Sequence, residues 1–358
     1  MKKRNLAVLL LWAVLTGAAW LLPARELSQA ERRPLAQMPA ITGQTILNGK
    51  FMTGFEKYSL DQFPLRDGFR TIKSLFHFYG LHQLDNNGIY LAKGYAVKQE
   101  YPANADSVAH ALERLTHLYE KYLQGSRVSM AIVPDKGYYL QDGHLRMDYD
   151  RFYADFAQGL PWAQQIDLRE CLSLEDYYRT DIHWRQEKLA EAAAALCQGL
   201  GVRAFDPEAF TVTALERPFY AVYYGQAALP MEPETMYLLE NAVIQACRVY
   251  DYESGKENPV YDLGKLTGRD LYEVFLSGSR SLLTIENPNS RTDRELILFR
   301  DSFGSAMAPL LLADYAKITL VDLRYIPIDR LDRFLDFHGQ DVLLLYSIPV
   351  LNNSQTIK

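Results

Sequence analysis

The chain has 358 residues, 48% of them hydrophobic, so it is long enough to form one large or two modest globular domains. Its formal net charge of -6 argues against a nucleic-acid-binding protein, which would normally carry a basic face. The three cysteines, Cys171, Cys197 and Cys247, have neither CxxC nor metal-ligand spacing, and they therefore suggest neither a zinc site nor a disulfide framework. We expect no metal and no cofactor.

An uncharged run at residues 6–22 follows three basic residues at the N-terminus. It is short for a membrane-spanning helix and long for the core of a signal peptide. Gly17, Ala18 and Ala19 have the small side chains of a cleavage site, but the apolar run continues past them. This continuation favours an uncleaved signal anchor at residues 1–23 over a removed signal peptide. The rest of the chain would then lie outside the cytoplasm, in a single-pass arrangement.

Residues 24–85 have the pattern of an extended arm with short helices. Pro34 and Pro39 interrupt its first part, and Asn48 and Gly49 indicate a turn. Apolar residues then recur with partly helical spacing at 51–60, and the stretch 69–81 is rich in aromatics. The turn signal at 86–88 predicts that a main domain begins near residue 86, and we expect it to extend to residue 351.

Strand and helix patterns alternate through this main domain. Helical spacing or composition predicts helices at 105–123, 152–160, 189–200, from 303 onward and at 331–337. Short apolar runs predict strands at 128–133, 165–168, 282–285, 295–299, 318–323 and 342–346. The stretch from about 205 to 280 mixes aromatics, prolines and β-branched residues, as an insertion of strands and loops would. The alternation predicts an α/β fold with a parallel sheet covered by helices on both faces.

Ser302 lies where the predicted strand 295–299 passes into a helix. A serine at the start of a helix is close to unpaired backbone N–H groups and to the positive end of the helix dipole, which suits a nucleophile with an oxyanion site. The alternative is structural, because serine is also a preferred N-cap residue. A catalytic role therefore requires a partner from elsewhere in the chain.

The segment 180–184, with the sequence Thr-Asp-Ile-His-Trp, can supply that partner. In an extended segment residues i and i+2 face the same side, so Asp181 and His183 can meet. The carboxylate would then hold the imidazole while its other nitrogen faces Ser302, as in a Ser-His-Asp triad. The alternative is that His183 is an interior histidine bonded to the backbone.

The Asp-Ile-His-Trp sequence at 181–184 resembles the signature of the DHHW family, whose relatives are SGNH-hydrolase-like proteins of alginate and other polysaccharide O-acetylation. As in those proteins, the Asp-x-His motif precedes an Asp-Ser-Phe motif, here at 301–303. An Arg-x-Leu arm at 33–35, a Phe-Pro-x-Arg stretch at 63–66 and Val-Pro-x-Lys at 133–136 add to the resemblance, which runs over most of the chain. It implies a three-layer α/β/α fold.

Two residues depart from the family pattern. Ile182 replaces the first histidine of the family name, so this position is not essential to a triad. Arg300 stands where classical SGNH enzymes have glycine, and it would either crowd the site or bind an anionic substrate. Arg300, Lys136 and Trp184 are the candidates for substrate contact. The alternative for Arg300 and Lys136 is a solvated or salt-bridged role, and Trp184 could form a wall of the site instead of stacking on a sugar. For the oxyanion site the candidates are the Ser302 N–H and the side chains of Asn287 and Asn289.

The resemblance implies an extracytoplasmic O-acetyltransferase or O-acetylesterase that acts on a cell-surface polysaccharide. Acetyl-CoA is cytoplasmic, so transfer would need a multi-spanning membrane O-acyltransferase as acetyl donor. Two alternatives stay open. One is a catalytically degenerate member that binds glycan or forms the scaffold of a modification complex, and the other is a membrane-tethered adaptor in which the triad-like residues are coincidental.

Overall fold

In the computed structural model, residues 2–28, 30–141, 145–268 and 270–358 are described. Their helices, in chain order, are α1 (Lys2–Leu21), α2 (Gly43–Leu47), α3 (Lys50–Asp61), α4 (Arg66–Leu75), α5 (Ala105–Leu118), α6 (Tyr149–Gly159), α7 (Ala190–Leu200), α8 (Val222–Ala227), α9 (Ala242–Ala246), α10 (Phe303–Leu311) and α11 (Ile348–Leu351). Their strands are β1 (Leu27–Ser28), β2 (Arg33–Pro34), β3 (Asp85–Asn86), β4 (Ile89–Ala92), β5 (Tyr95–Lys98), β6 (Arg127–Val133), β7 (Gln164–Ile166), β8 (Thr211–Ala214), β9 (Tyr237–Glu240), β10 (Arg248–Asp251), β11 (Lys256–Asn258), β12 (Leu282–Glu286), β13 (Glu295–Arg300), β14 (Lys317–Val321) and β15 (Asp341–Ser347).

The chain divides into two compact units. The first comprises Met1–Ile89 and Ala221–Glu232, and the second comprises Tyr90–Tyr220 and Pro233–Lys358. In the first unit, the apolar run that predicted a membrane anchor forms most of α1. None of the helices in the described part of the chain is long and apolar enough to span a membrane. The two helices predicted at 51–60 and 69–81 correspond to α3 and to α4, which continues as a π-helical turn from Phe76 to Gly80.

The second unit is built on an eight-stranded sheet with the order β11-β10-β12-β14-β13-β15-β6-β7. The strands from β14 to β7 in this order are parallel to their neighbours. β12 is antiparallel to β14, and β10 and β11 extend this edge in antiparallel pairs. The predicted all-parallel sheet is therefore wrong at this edge. The connection from β12 to β13 consists of residues 287–294. It is shorter than the crossover that two parallel strands require, so β12 runs in the opposite direction.

Helices cover both faces of the sheet. Alternate residues of β6 and β15, such as Met130 and Leu344, belong to a buried cluster with Leu115 of α5 and Phe152 of α6. Because successive strand residues face opposite sides, the residues between them face the other layer, and this is where α7 and α10 contact the sheet. The described residues thus form a mixed α/β sheet domain with β13 near its centre.

Two parts of the sequence prediction differ from this structure. No α-helix forms in the stretch predicted as a helix at 331–337, and only its first three residues belong to a short 3-10 segment, Ile328–Arg333. The stretch predicted as an insertion at 205–280 contributes to several different parts of the fold. Its β8 and β9 form a separate antiparallel pair, its residues 221–232 belong to the first unit, and its β10 and β11 extend the central sheet.

Candidate active site

The turn that carries Ser302 joins the buried end of β13 to α10. Ser302 adopts helical backbone angles of φ -62° and ψ -24°, and its side chain does not cap α10. The side chain of the preceding residue, Asp301, caps the helix instead, because its Oδ1 accepts a hydrogen bond from the Phe303 backbone N–H at 2.9 Å. The N-cap alternative for Ser302 is thereby excluded, and its hydroxyl remains available for another partner.

Asp181 and His183 lie in a tight hairpin. The Tyr178 N–H donates to the His183 carbonyl at 3.1 Å, and the Arg185 N–H donates to the Asp176 carbonyl at 2.7 Å. The turn between them places both side chains on the same side. Asp181 Oδ1 accepts hydrogen bonds from the His183 backbone N–H at 3.1 Å and from its Nδ1 at 2.7 Å.

The hairpin and the serine turn meet at the imidazole of His183. Its Nε2 lies 2.7 Å from Ser302 Oγ, although the two residues are 119 positions apart in the chain. Asp181 is fully buried, His183 is 8% exposed and Ser302 is half-buried. A carboxylate only accepts hydrogen bonds, so Nδ1 carries a proton and Nε2 accepts from the serine hydroxyl. This arrangement can remove a proton from Ser302 as the hydroxyl attacks an electrophile.

Aromatic side chains fix the plane of the imidazole. The Tyr272 ring stacks on it with centroids 3.8 Å apart and an angle of 10° between the planes. The Phe303 ring is tilted relative to the imidazole, and the centroids of the two rings are 5.1 Å apart. Burial raises the pKa of the Tyr272 hydroxyl well above its usual value. Tyr272 was not predictable from the sequence, because it lies in the 205–280 stretch, where no periodic pattern indicates its position.

Lys136 stabilises the hairpin that carries Asp181 and His183, which we call the histidine hairpin. Its Nζ donates to the carbonyls of Ala96, Tyr178 and Arg179, the last two at 3.1 and 3.4 Å. Burial lowers the pKa of Lys136 to about 7, although the nearby Asp181 carboxylate acts in the opposite direction.

Glu234 supports the same hairpin from another element. Its Oε1 accepts from the Arg179 N–H at 2.9 Å, and its Oε2 accepts from the Thr180 N–H and hydroxyl at 3.0 and 2.9 Å. These three bonds fix the two residues that directly precede Asp181. Like Tyr272, Glu234 lies in the stretch where the sequence carried no clear pattern, and so sequence reasoning missed it.

The three residues predicted to contact substrate lie in the interior. Trp184, Arg300 and Lys136 are 0%, 1% and 3% exposed. Trp184 Nε1 donates to the Phe303 carbonyl at 3.2 Å, which fixes the hairpin to α10. The Arg300 Nη1 donates to the Asp301 carbonyl at 3.4 Å, and burial lowers the pKa of this guanidinium. This differs from the prediction, because a side chain without exposed surface cannot offer a face to a sugar.

Asn287, one of the two asparagines considered for the oxyanion site, lies at the end of the sheet opposite to Ser302, where the parallel strands begin. It follows the end of β12, which is antiparallel to β14, and therefore lies by the start of β14. Its side-chain amide donates to the Leu312 carbonyl at 2.8 Å. Asn289 donates its backbone N–H to the Asn287 side chain at 3.0 Å, so it lies at this end too. Neither asparagine is near Ser302.

The fold and the site together define a mixed α/β protein with an Asp-His-Ser constellation at the carboxyl edge of its central parallel strands. Residues 168–321, which include all three side chains, match the family model described as DHHW protein. The predicted resemblance to the DHHW family is thereby confirmed.

Solved structures support the same fold. A DHHW family protein from Eubacterium siraeum is 21% identical, with a TM-score of 0.62 over 76% of this chain and 95% of that one. Bacillus cereus PatB1 with a sulfonyl adduct is 17% identical, with a TM-score of 0.59 over 74% of this chain and 95% of that one. PatB1 is also similar in a second structure, with the same identity and TM-score. No curated protein matches the chain significantly.

Proposed function

We propose that the protein handles O-acetyl groups on a cell-surface polysaccharide through Ser302, His183 and Asp181. Ser302 Oγ attacks the carbonyl carbon of an acetyl donor while His183 Nε2 takes the hydroxyl proton. The bond to the donor oxygen breaks, and that proton passes to the leaving group. An acetyl-serine remains. The oxygen of a sugar hydroxyl (transferase) or of water (esterase) then takes the acetyl group and gives its proton to His183. His183 returns this proton to Ser302 Oγ as the acetyl-serine bond breaks, which restores the serine hydroxyl.

One observation carries this proposal. Both ring nitrogens of His183 bond to side chains, one to the buried Asp181 carboxylate and one to a serine hydroxyl that caps no helix. An interior histidine that only satisfied the backbone would show neither bond. The choice of acetyl as the group, and of a polysaccharide as acceptor, comes from the family resemblance of the motifs at 181–184 and 301–303.

Turnover of p-nitrophenyl acetate by the purified chain and by its Ser302→Ala variant tests the chemistry. We expect the variant to lose at least about 1000-fold in rate. Ser305→Ala is the matched control, since it removes a hydroxyl from the same helix, and it should keep near-wild-type turnover. Equal rates in wild type and Ser302→Ala would leave a non-catalytic, glycan-binding or scaffold protein as the better interpretation.

A sulfonyl fluoride provides a second readout. We expect mass spectrometry to find one sulfonyl group on the Ser302 peptide of the wild-type chain and none there in Ser302→Ala. Because this readout does not depend on choosing the right acyl substrate, it separates an inert serine from an enzyme with an unsuitable ester. Labelling without p-nitrophenyl acetate turnover would indicate a reactive serine with a different substrate.

Location and donor are further parts of the proposal. We place the second unit outside the cytoplasm, with the N-terminal apolar segment holding it at the membrane and a multi-spanning membrane O-acyltransferase delivering the acetyl group. The test compares acetate released by mild base from surface glycans of cells with the wild-type chain, with Ser302→Ala, and with neither. A transferase gives acetate only with the wild type, whereas an esterase lowers it. Three equal values would contradict both.

A further inference from the structure

The inner face of α4 is polar, which is unusual for a helix packed in a small unit. Arg66 Nη1 lies 2.5 Å from Glu31 Oε2, and Arg70 Nη2 donates to the Gly225 carbonyl at 2.9 Å. Ser74 is completely buried, and its hydroxyl donates to the Ala227 carbonyl at 2.6 Å. The polar side chains of this helix are therefore used to attach it to the rest of the first unit.

The outer face of the same helix is apolar and exposed. Five large apolar side chains line α4 and the residues that flank it: Phe69 and Ile72 belong to α4, Leu65 directly precedes it, and Phe76 and Tyr79 lie in the π-helical turn that follows. Their spacings of four, three, four and three residues place successive members about one helical turn apart. All are between 45% and 76% exposed, and they are Leu65, Phe69, Ile72, Phe76 and Tyr79. We call these five residues the α4 stripe. Ser74 lies on the opposite side of the helix. A soluble amphipathic helix has the reverse arrangement, with its apolar face inward.

α1, in the same unit, is exposed in the same way. Its side chains from Leu6 to Val14 include Leu9, Leu11 and Trp12, which are 66%, 58% and 58% exposed. They point in several directions around the helix. Lys3 and Arg4 precede them and are exposed as well. An apolar helix with a basic start and an α4 stripe that carries three aromatics have the composition of segments that lie at a lipid–water interface.

The distribution of charge identifies the kind of surface. The first unit, residues 1–89 and 221–232, contains 11 Lys and Arg against 7 Asp and Glu, a surplus of four positive charges. The whole chain contains 38 against 44, so the second unit has 27 against 37, a surplus of ten negative charges. An anionic membrane attracts the first unit and repels the second.

We propose that the first unit is an interfacial membrane-binding module whose α4 stripe lies in the surface of an anionic bilayer. The ion pairs of the inner face hold α4 in place, so the stripe stays turned outward without a partner protein. Binding at the surface requires no helix that spans the bilayer. This inference is independent of the proposed acetyl chemistry, because none of the residues involved belongs to the site around Ser302.

The test places a fluorophore on the α4 stripe of the full-length chain. Tyr79→Cys, in a Cys171→Ser background that removes the partly exposed native thiol, is labelled with NBD and reconstituted into vesicles of 70% phosphatidylcholine and 30% phosphatidylglycerol. The matched control carries NBD at Val212→Cys, an exposed apolar position of β8 in the second unit. Quenching by iodide in the water and by doxyl-labelled lipid in the bilayer is then measured for both.

We expect the probe at position 79 to be quenched by doxyl lipid and to be at least about 5-fold less sensitive to iodide than the probe at 212. A triple variant, Phe69→Gln, Ile72→Gln and Phe76→Gln, should restore the iodide sensitivity at position 79. Its circular dichroism spectrum shows whether the unit is still folded.

Equal iodide quenching at positions 79 and 212 would overturn the proposal and leave α1 alone as the membrane contact. Protection from iodide without quenching by doxyl lipid would also overturn it, because the stripe would then be covered by protein, either a second copy or a partner. A probe that behaves identically in vesicles of pure phosphatidylcholine would contradict the electrostatic part.

Discussion

The carboxylate of Asp301 joins the end of β13 to Ser347 at the end of β15. Its Oδ2 accepts hydrogen bonds from the Ser347 backbone N–H at 2.8 Å and from the Ser347 hydroxyl at 2.6 Å, while its Oδ1 accepts from the Phe303 N–H. Asp301 is fully buried. The turn that presents Ser302 to His183 is therefore held between two adjacent strands rather than by the helix alone.

Asp301→Asn should loosen this turn. The amide can still accept one bond, but its NH2 group would face the N–H or the hydroxyl of Ser347. Since a hydrogen bond to a charged group contributes about 1.5 to 3 kcal/mol, we expect a stability loss of that size in urea unfolding. Turnover of p-nitrophenyl acetate should fall at unchanged KM. Ser347→Ala, which removes only the hydroxyl, is the control and should show a smaller loss. Identical stability of both variants and the wild type would contradict this role.

Asp181→Asn tests the partner of the histidine. The side chain keeps its shape but replaces an acceptor with a donor toward His183, which disfavours the tautomer that takes the serine proton. We expect kcat for p-nitrophenyl acetate to fall by about 1000- to 10000-fold at pH 7. A loss of less than tenfold would show that Asp181 only shapes the hairpin. Thermal unfolding serves as the check that the variant is folded.

Lys136→Met should destabilise the histidine hairpin, because three buried carbonyls lose their donor. Each unsatisfied group costs about 1 kcal/mol or more, so we expect a total loss of about 2 to 4 kcal/mol in urea unfolding. Lys93→Met, at an exposed position, is the control and should change stability little. Since the pKa of Lys136 is lowered to about 7 in the folded chain, the unfolded chain binds more protons above pH 7. The contribution of this residue to stability therefore rises with pH from about 7 to 10, and the variant should lose that rise.

Two buried carboxyl groups predict an opposite pH dependence in the acid range. Burial raises the pKa of Asp135 to about 6 and that of Glu100 to about 6. Each group gives its full stabilisation below its unfolded pKa, near 4, and loses it as the pH rises through 6. We expect Asp135→Asn to remove a decline of about 2 kcal/mol in unfolding free energy between pH 4.5 and 6.5. The exposed Asp332→Asn is the control. Parallel curves for the wild type and Asp135→Asn would contradict a raised pKa.

Gly304→Ala tests the close approach of α10 to β13. A Cβ atom at position 304 would lie 2.6 Å from the Cβ of Arg300 and 3.1 Å from its Cγ, and a Cβ cannot move without the backbone. We expect a loss of about 1 to 3 kcal/mol in urea unfolding, as overpacked cores show. Turnover should fall as well, because Ser302 is two residues away. Gly43→Ala, where a Cβ meets nothing within 4 Å, should stay within about 0.5 kcal/mol of the wild type. Equal stability of the two variants would contradict the clash.

Local sequence determined the elements that carry the site. The buried run before Arg300 and the small apolar residues after Ser302 are enough to predict β13 and α10, because a strand and a helix each leave their own period in the sequence. The i, i+2 spacing of Asp181 and His183 likewise predicts that they face one side. Those short-range features are correct in the structure.

Only the tertiary structure decided which groups meet and which remain accessible. The bond between His183 and Ser302 joins residues 119 positions apart, and no local pattern encodes that distance. Glu234 and Tyr272 reach the site from a stretch without periodicity, so their positions follow from packing alone. Trp184 is buried and has no surface to offer a substrate. The sequence could not predict this, because whether an aromatic side chain faces solvent depends on the elements packed around it. The direction of β12 is different, because the short 287–294 connection that reverses it is present in the sequence, and the alternation of elements alone led to the wrong direction.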